Sequence, residues 1–150
     1  MSYLTGLTVI AVGDQQVVFE GQVTGDTVNL GAYANQITIG IPYQTVIQPM
    51  NPVIGNQQAT SKGKKQKFHR ANFSLYESVG GQYGTDWNHL YDMSYGQNSE
   101  GNPVELFTGN ILRDIDGGWA DEDTILIVHS DPYPFTLRSI EPRLNVAEGG

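Results

Sequence analysis

An acidic segment near residue 120 comes closest to a metal-binding pattern. Its five carboxylates are Asp114, Asp116, Asp121, Glu122 and Asp123. The opening Asp-x-Asp-Gly resembles the start of a calcium-binding EF-hand loop, but the third ligand position falls on Gly118 and the twelfth position on Ile125. Because the bidentate glutamate of such a loop is absent, we interpret the segment as a solvated turn between strands. The sequence predicts no metal site and no cofactor.

The remaining reactive residue types form no catalytic motif. The histidines His69, His89 and His129 lack the spacing of a zinc-binding helix, and the chain has no nucleophile elbow, P-loop or dinucleotide-binding fingerprint. Cysteine is absent, which excludes a thiol nucleophile, a thiolate metal site and a disulfide framework. We therefore expect a protein that is not an enzyme, with no catalytic residues.

Positive charge is concentrated in one short segment. Five of the eight basic residues fall within nine positions: Lys62, Lys64, Lys65, Lys67 and Arg70. Three interpretations are open: lysines that keep an edge strand from pairing, a salt-bridge site for an acidic partner, or a contact with nucleic-acid phosphate. We favour the second, in which these residues contact an acidic surface of a neighbouring chain. The simplest such surface is residues 114–123 of an adjacent copy.

The overall composition limits the class of protein. The chain has 150 residues, enough for one compact domain with a core, and a net charge of −8. A general nucleic-acid binder shows the opposite charge balance. No apolar run approaches the roughly 20 residues that span a bilayer, and the N-terminus lacks the features of a signal peptide. We expect a single soluble domain over residues 1–150, without a membrane segment.

The pattern of apolar residues is that of strands. Alternation and turn residues predict strands over 7–12, 17–19, 36–41, 43–48, 69–79, 105–113, 124–128 and 135–146. A second reversal is predicted between 22–23 and 27–30. Residues 51–63 and 82–103 are predicted to be long loops, the latter with one short strand around 89–93. No segment has a helical stripe. The predicted fold is all-β, an antiparallel β-sandwich or partly open barrel with very little helix.

The alternation of residues in 69–79, the clearest predicted strand, indicates which face of this strand is buried. One series in 69–79 is largely apolar, and its members are His69, Ala71, Phe73, Leu75, Glu77 and Val79. The intervening residues are mainly polar. We expect the first series to face a core.

Several short motifs occur in a defined order along the chain. They are YL at 3–4, GLTV at 6–9, GIPY at 40–43, GKK at 63–65, HR at 69–70, LY at 75–76 with Ser78, TG at 108–109, GW at 118–119, and DPYPFTL at 131–137 with Ile140 and Pro142. In this order they resemble the C-terminal region of the tail tubular proteins of short-tailed bacteriophages, also called nozzle or tail stabilisation proteins. Members of that family are usually several times longer, so the chain resembles either an excised domain or an unusually short relative, and residues 82–103 match no family motif.

The resemblance implies a structural role in the virion tail. It implies copies of the chain in a hexameric ring, contact with other tail proteins such as an adaptor, fibre or spike, and passage of phage DNA through the tube without specific binding. It also implies assembly in the host cytoplasm. An acidic body fits such a path, since carboxylates repel phosphate.

A second class of function remains open from the residues alone. A β-sandwich could be a carbohydrate-binding or adhesin module that uses Trp87, Trp119 and exposed tyrosines, with Trp87, Tyr91 and Tyr95 stacking on sugars. The competing interpretation is that these aromatic residues pack the domain or its interface, and we favour that interpretation.

Overall fold

The computed structural model describes residues 2–25, 27–52, 64–95, 104–120 and 124–147. Strands are β1 Thr8–Gly13, β2 Gln16–Gln22, β3 Ile37–Gly40, β4 Thr45–Ile47, β5 Gln66–Ser78, β6 Gln82–Gly84, β7 Leu90–Asp92, β8 Phe107–Asp114, β9 Leu126–His129 and β10 Leu137–Val146. A 3-10 helix, Ser2–Leu4, is the only described helix. The prediction of an all-β fold with very little helix is confirmed.

The described strands form three antiparallel sheets, and none of these closes into a barrel. The N-terminal sheet has the order β2-β1-β3, the front sheet has the order β10-β5-β8, and the back sheet has the order β4-β9-β6-β7. The β1–β2 hairpin turns at Asp14 and Gln15, which both have positive φ, as a type I′ turn requires. No described helix is long and apolar enough to cross a membrane.

The main core lies between the front and back sheets. The front sheet contributes Phe73 and Leu75 from β5, and the back sheet contributes Tyr83 and Ile127. The rings of Phe73 and Tyr83 meet at a centroid distance of 5.5 Å. All four residues of β9 are buried, so this short strand is covered on both faces. Burial of these apolar side chains is the main stabilising term of the sandwich.

The predicted buried face of the long strand is correct at four of its six members and wrong at two. Ala71, Phe73, Leu75 and Val79 are buried, but His69 and Glu77 are exposed. Phe68 and Ser78 are buried in addition. The register shifts opposite Phe68 and again between Leu75 and Ser78 explain the change, because each bulge inserts one residue and reverses the alternation.

Two other predictions need correction. The reversal near residue 25 makes only an isolated bridge between Thr24 and Thr27, and residues 28–30 form no strand. The segment predicted as a long loop from residue 82 begins with two short strands, β6 and β7, which pair with each other. β7 matches the short strand predicted around 89–93, whereas β6 has only three residues, Gln82–Gly84, with one glycine among them, and gives no strand pattern. The predicted loop 51–63 lies largely outside the described residues.

Candidate functional site

The basic and acidic segments lie side by side within one chain. Strand β5 begins in the basic segment, and the chain that follows β8 returns along it. The backbone amide of Ile115 donates to the carbonyl of His69 at 3.0 Å, and Gln66 and Ala120 exchange two backbone hydrogen bonds. The acidic segment is therefore held against its own basic segment by main-chain pairing.

Among the described residues, an ion pair joins the two segments. Arg70 on β5 lies opposite Asp114 on β8, and the guanidinium Nε donates to carboxylate Oδ1 at 2.6 Å. On the other side of Arg70, β10 places Arg143 directly opposite. Two arginines that face each other across neighbouring strands repel. The negative charge of Asp114 reduces the repulsion between Arg70 and Arg143. Since Arg70 and Asp114 neutralise each other within the chain, this pair does not support a contact between copies.

Three lysines of the basic segment keep their charge unpaired within the described structure. Lys64, Lys65 and Lys67 form no ion pair with any described carboxylate, and Lys65 is exposed. Asp116 is also exposed without an ion pair among the described residues. The other predicted interface residues lie outside the described residues: Lys62, Asp121, Glu122 and Asp123.

A cavity of about 550 Å³ opens on the outer face of the back sheet. Its base is a row across three strands, because Gln82 on β6 pairs with both Val128 on β9 and Asp92 on β7. Residues paired in this way point to the same face of a sheet. The Gln82 amide donates to Asp92 Oδ1 at 3.0 Å. Asp131 also lines the cavity, so its lining contains two carboxylates.

The rim of the cavity is a glycine turn that follows β5. Gly80 and Gly81 have φ of +69° and +94°, a conformation that L side chains rarely adopt. A Cβ on Gly80 would collide with the carboxylate of Asp131, and one on Gly81 would lie 2.7 Å from the Phe135 ring. The sequence pattern of two consecutive glycines indicates the end of a strand, but it gives no sign of this close approach.

The carbonyl groups of the rim are already hydrogen-bonded. Val79 O accepts from His129 Nε2 at 3.1 Å, Gly80 O accepts from the Tyr95 hydroxyl at 2.6 Å, and Gly81 O accepts from the Met93 amide at 2.9 Å. Because a carbonyl can only accept, His129 carries its proton on Nε2. These bonds fix the rim and leave the two carboxylates as the charged groups that face the cavity.

The electrostatic character of the cavity is acidic. Among the described residues, no lysine or arginine lines it. Arg113 lies nearby, but its guanidinium donates to the carbonyls of Met93 and Ser94. Burial, with a further contribution from the Asp131 carboxylate, raises the pKa of the Tyr95 phenol, which therefore stays protonated and keeps its bond to Gly80.

The histidines and carboxylates form no metal-binding group in the described ranges. His129 is buried and stacks on Phe135 at a centroid distance of 4.7 Å. In the turn between β6 and β7, His89 Nδ1 lies 2.8 Å from Asp86 Oδ2. Side-chain hydrogen bonding from His89, with a backbone bond from Asn88, lowers the pKa of Asp86.

The three aromatic residues considered for sugar stacking have different surroundings. Tyr91 packs on Tyr83, and Tyr95 packs on Phe107. Trp87 is 57% exposed at the turn between β6 and β7. In the described structure, Trp87, Tyr91 and Tyr95 make no ring contact with one another. The contacts of Tyr91 and Tyr95 with other rings favour a role in packing over a role in sugar binding.

The sequence indicates the basic segment but gives no sign of the cavity. Asp92 and Asp131 are 39 positions apart in the sequence, and only the pairing of β6 with both β7 and β9 brings their segments together. No family model matches this chain, and no curated protein matches it either.

Proposed function

We propose that this chain is a non-enzymatic structural component of the tail tube of a short-tailed bacteriophage. The observation that carries the proposal is the order of the resembling motifs along the chain, from YL at residue 3 to DPYPFTL at residue 131. In this role, copies of the chain form a ring that contributes to the path of DNA and to the attachment of other tail proteins.

Three of these motifs stand at junctions of the fold. GIPY begins at Gly40, the last residue of β3, and continues into the exposed segment before β4. The GKK motif comes just before β5. The DPYPFTL motif leads into β10, which pairs directly with β5. Residues at strand junctions determine turns and strand pairing. The same order of motifs in this chain and in the tail tubular proteins is therefore compatible with a shared architecture.

The charge of the chain is compatible with a DNA path. Sixteen carboxylates against eight basic residues give a net charge of −8. A strongly acidic surface repels phosphate, so DNA would pass a ring of such domains without being retained. The exposed apolar side chains Ile41, Tyr43 and Met50 supply surface that a neighbouring chain can cover.

The test is to locate the gene and its product. We expect the gene to lie among structural genes of a phage, and mass spectrometry of purified particles to detect the chain at the stoichiometry of a ring. Electrophoretic mobility of duplex DNA should not change with the purified chain at physiological salt. A chromosomal gene without phage neighbours, together with absence of the chain from particles, would overturn the proposal.

A further inference from the structure

The unpaired lysines and the acidic cavity lie at opposite ends of the same strand. Lys64 and Lys65 immediately precede β5, Lys67 is its second residue, and the glycine rim of the cavity follows its end. The strand has 13 residues, which corresponds to about 40 Å at the rise of an extended strand. A strand of this length, paired on both sides, keeps the lysines away from the cavity of their own chain.

The two ends are complementary in charge. The described lysines have no carboxylate partner within the described structure, and the cavity has two carboxylates without a lysine or arginine in its described lining. Tyr133 also lines the cavity, and an aromatic ring favours a nearby ammonium group. The acidic segment after β8 is a poorer acceptor, because it already lies along the basic segment of its own chain and Asp114 is paired with Arg70.

We propose that the lysine end of one copy, Lys64, Lys65 and Lys67, docks at the Asp92–Asp131 cavity of the next copy, head to tail. This inference rests on the proposed ring function and identifies the two surfaces that meet. A contact between two different patches is heterologous, and repetition of such a contact closes a ring when the rotation between copies permits it. The complementary charges steer the approach and set the register.

Disulfide trapping tests the contact directly, because the chain contains no cysteine. Lys65→Cys places a thiol at the lysine end, and Ser130→Cys places one at an exposed position of the cavity lining. Asp116→Cys is the matched control, since Asp116 is exposed and lies in the acidic segment, the alternative acceptor. Each variant is prepared in the full chain, and pairs are mixed under mild oxidation at low and high salt.

We expect the Lys65→Cys and Ser130→Cys pair to cross-link several-fold faster than the Lys65→Cys and Asp116→Cys pair. The excess should fall as salt rises, because screening weakens exposed charge pairs. Equal rates for the two pairs, or a faster reaction with Asp116→Cys, would overturn the proposed contact.

A second measurement separates this contact from the proposed function. Sedimentation of the chain carrying both Asp92→Asn and Asp131→Asn should show self-association weaker by about threefold or more, and Asp116→Asn should not. Unchanged association in the double variant overturns the head-to-tail contact but leaves the ring proposal intact. Absence of the chain from phage particles overturns the ring proposal, whichever residues cross-link.

Discussion

Arg70 and Asp114 face each other across β5 and β8, with guanidinium Nε and carboxylate Oδ1 at 2.6 Å. The basic and acidic segments carry opposite charges, which by sequence alone could pair between two chains. The Arg70–Asp114 ion pair shows that part of this charge is neutralised within one chain. The described lysines that precede Arg70 make no ion pair among the described residues and are the better candidates for contact with another chain.

Replacement of Asp114 by asparagine should cost a small amount of stability. The change removes the ion pair, and Arg70 remains opposite the like-charged Arg143. Both partners of the pair are partly exposed, so we expect the free energy of unfolding in urea to fall by about 0.5–1 kcal/mol. Asp116→Asn, at an exposed site without an ion pair in the described structure, is the control. Equal losses in the two variants would show that the pair adds nothing.

Replacement of the four lysines by glutamine tests the basic segment as an assembly surface. The variant changes Lys62, Lys64, Lys65 and Lys67 and keeps Arg70, whose partner lies in the same chain. We expect weaker assembly and a smaller dependence on ionic strength, because charge attraction is screened within about 10 Å at 0.1 M salt. Light scattering across a salt series measures both quantities. Assembly with an unchanged salt dependence would mean that the segment is only a solvated edge.

Acid should weaken the link between the β1–β2 turn and the segment before β3. Backbone hydrogen bonds from Asn35 and then Gln36 lower the pKa of Asp14 below its ordinary value of 3.8. A lowered pKa means that the ionised form stabilises the fold above pH 3.8, and that this contribution is lost as the pH falls through the lower folded value.

An NMR titration checks this prediction. The carboxyl carbon of Asp14 should titrate with a midpoint below 3.8, and the amides of Asn35 and Gln36 should shift with the same midpoint. In Asp14→Asn these amides should lose the transition. A midpoint at or above 3.8 in the native chain would contradict the hydrogen-bonded geometry.

A side chain at Gly84, where β6 ends and the β6–β7 turn starts, should destabilise the fold. A Cβ at this position would collide with the carbonyl oxygen of His89, a backbone atom that cannot rotate away. We expect Gly84→Ala to lower the free energy of unfolding by about 1–3 kcal/mol. Gly40→Ala is the control, because nothing lies within 4 Å of a Cβ added at Gly40. Thermal denaturation of both variants gives the comparison, and similar melting temperatures would contradict the close approach.

The sequence by itself determined the class of fold and most of the strands. Alternation over two-residue periods is a local property, so β1, β5, β8 and β10 could be predicted from their apolar residues and turn signals. Charge clustering is also local, and the basic segment can therefore be recognised from the order of its residues. The short strand β6 could not be predicted, because three residues with one glycine give no periodic signal.

Only the tertiary structure decided how these elements meet. Bulges reverse the alternation of β5, so Phe68 is buried and His69 is exposed, and a period of two cannot indicate where a residue is inserted. The pairing of Arg70 with Asp114, and the cavity formed by Asp92 and Asp131, depend on strand register between distant segments. Register follows from which apolar faces pack together across the sheets, and that choice is made by the whole chain rather than by any segment.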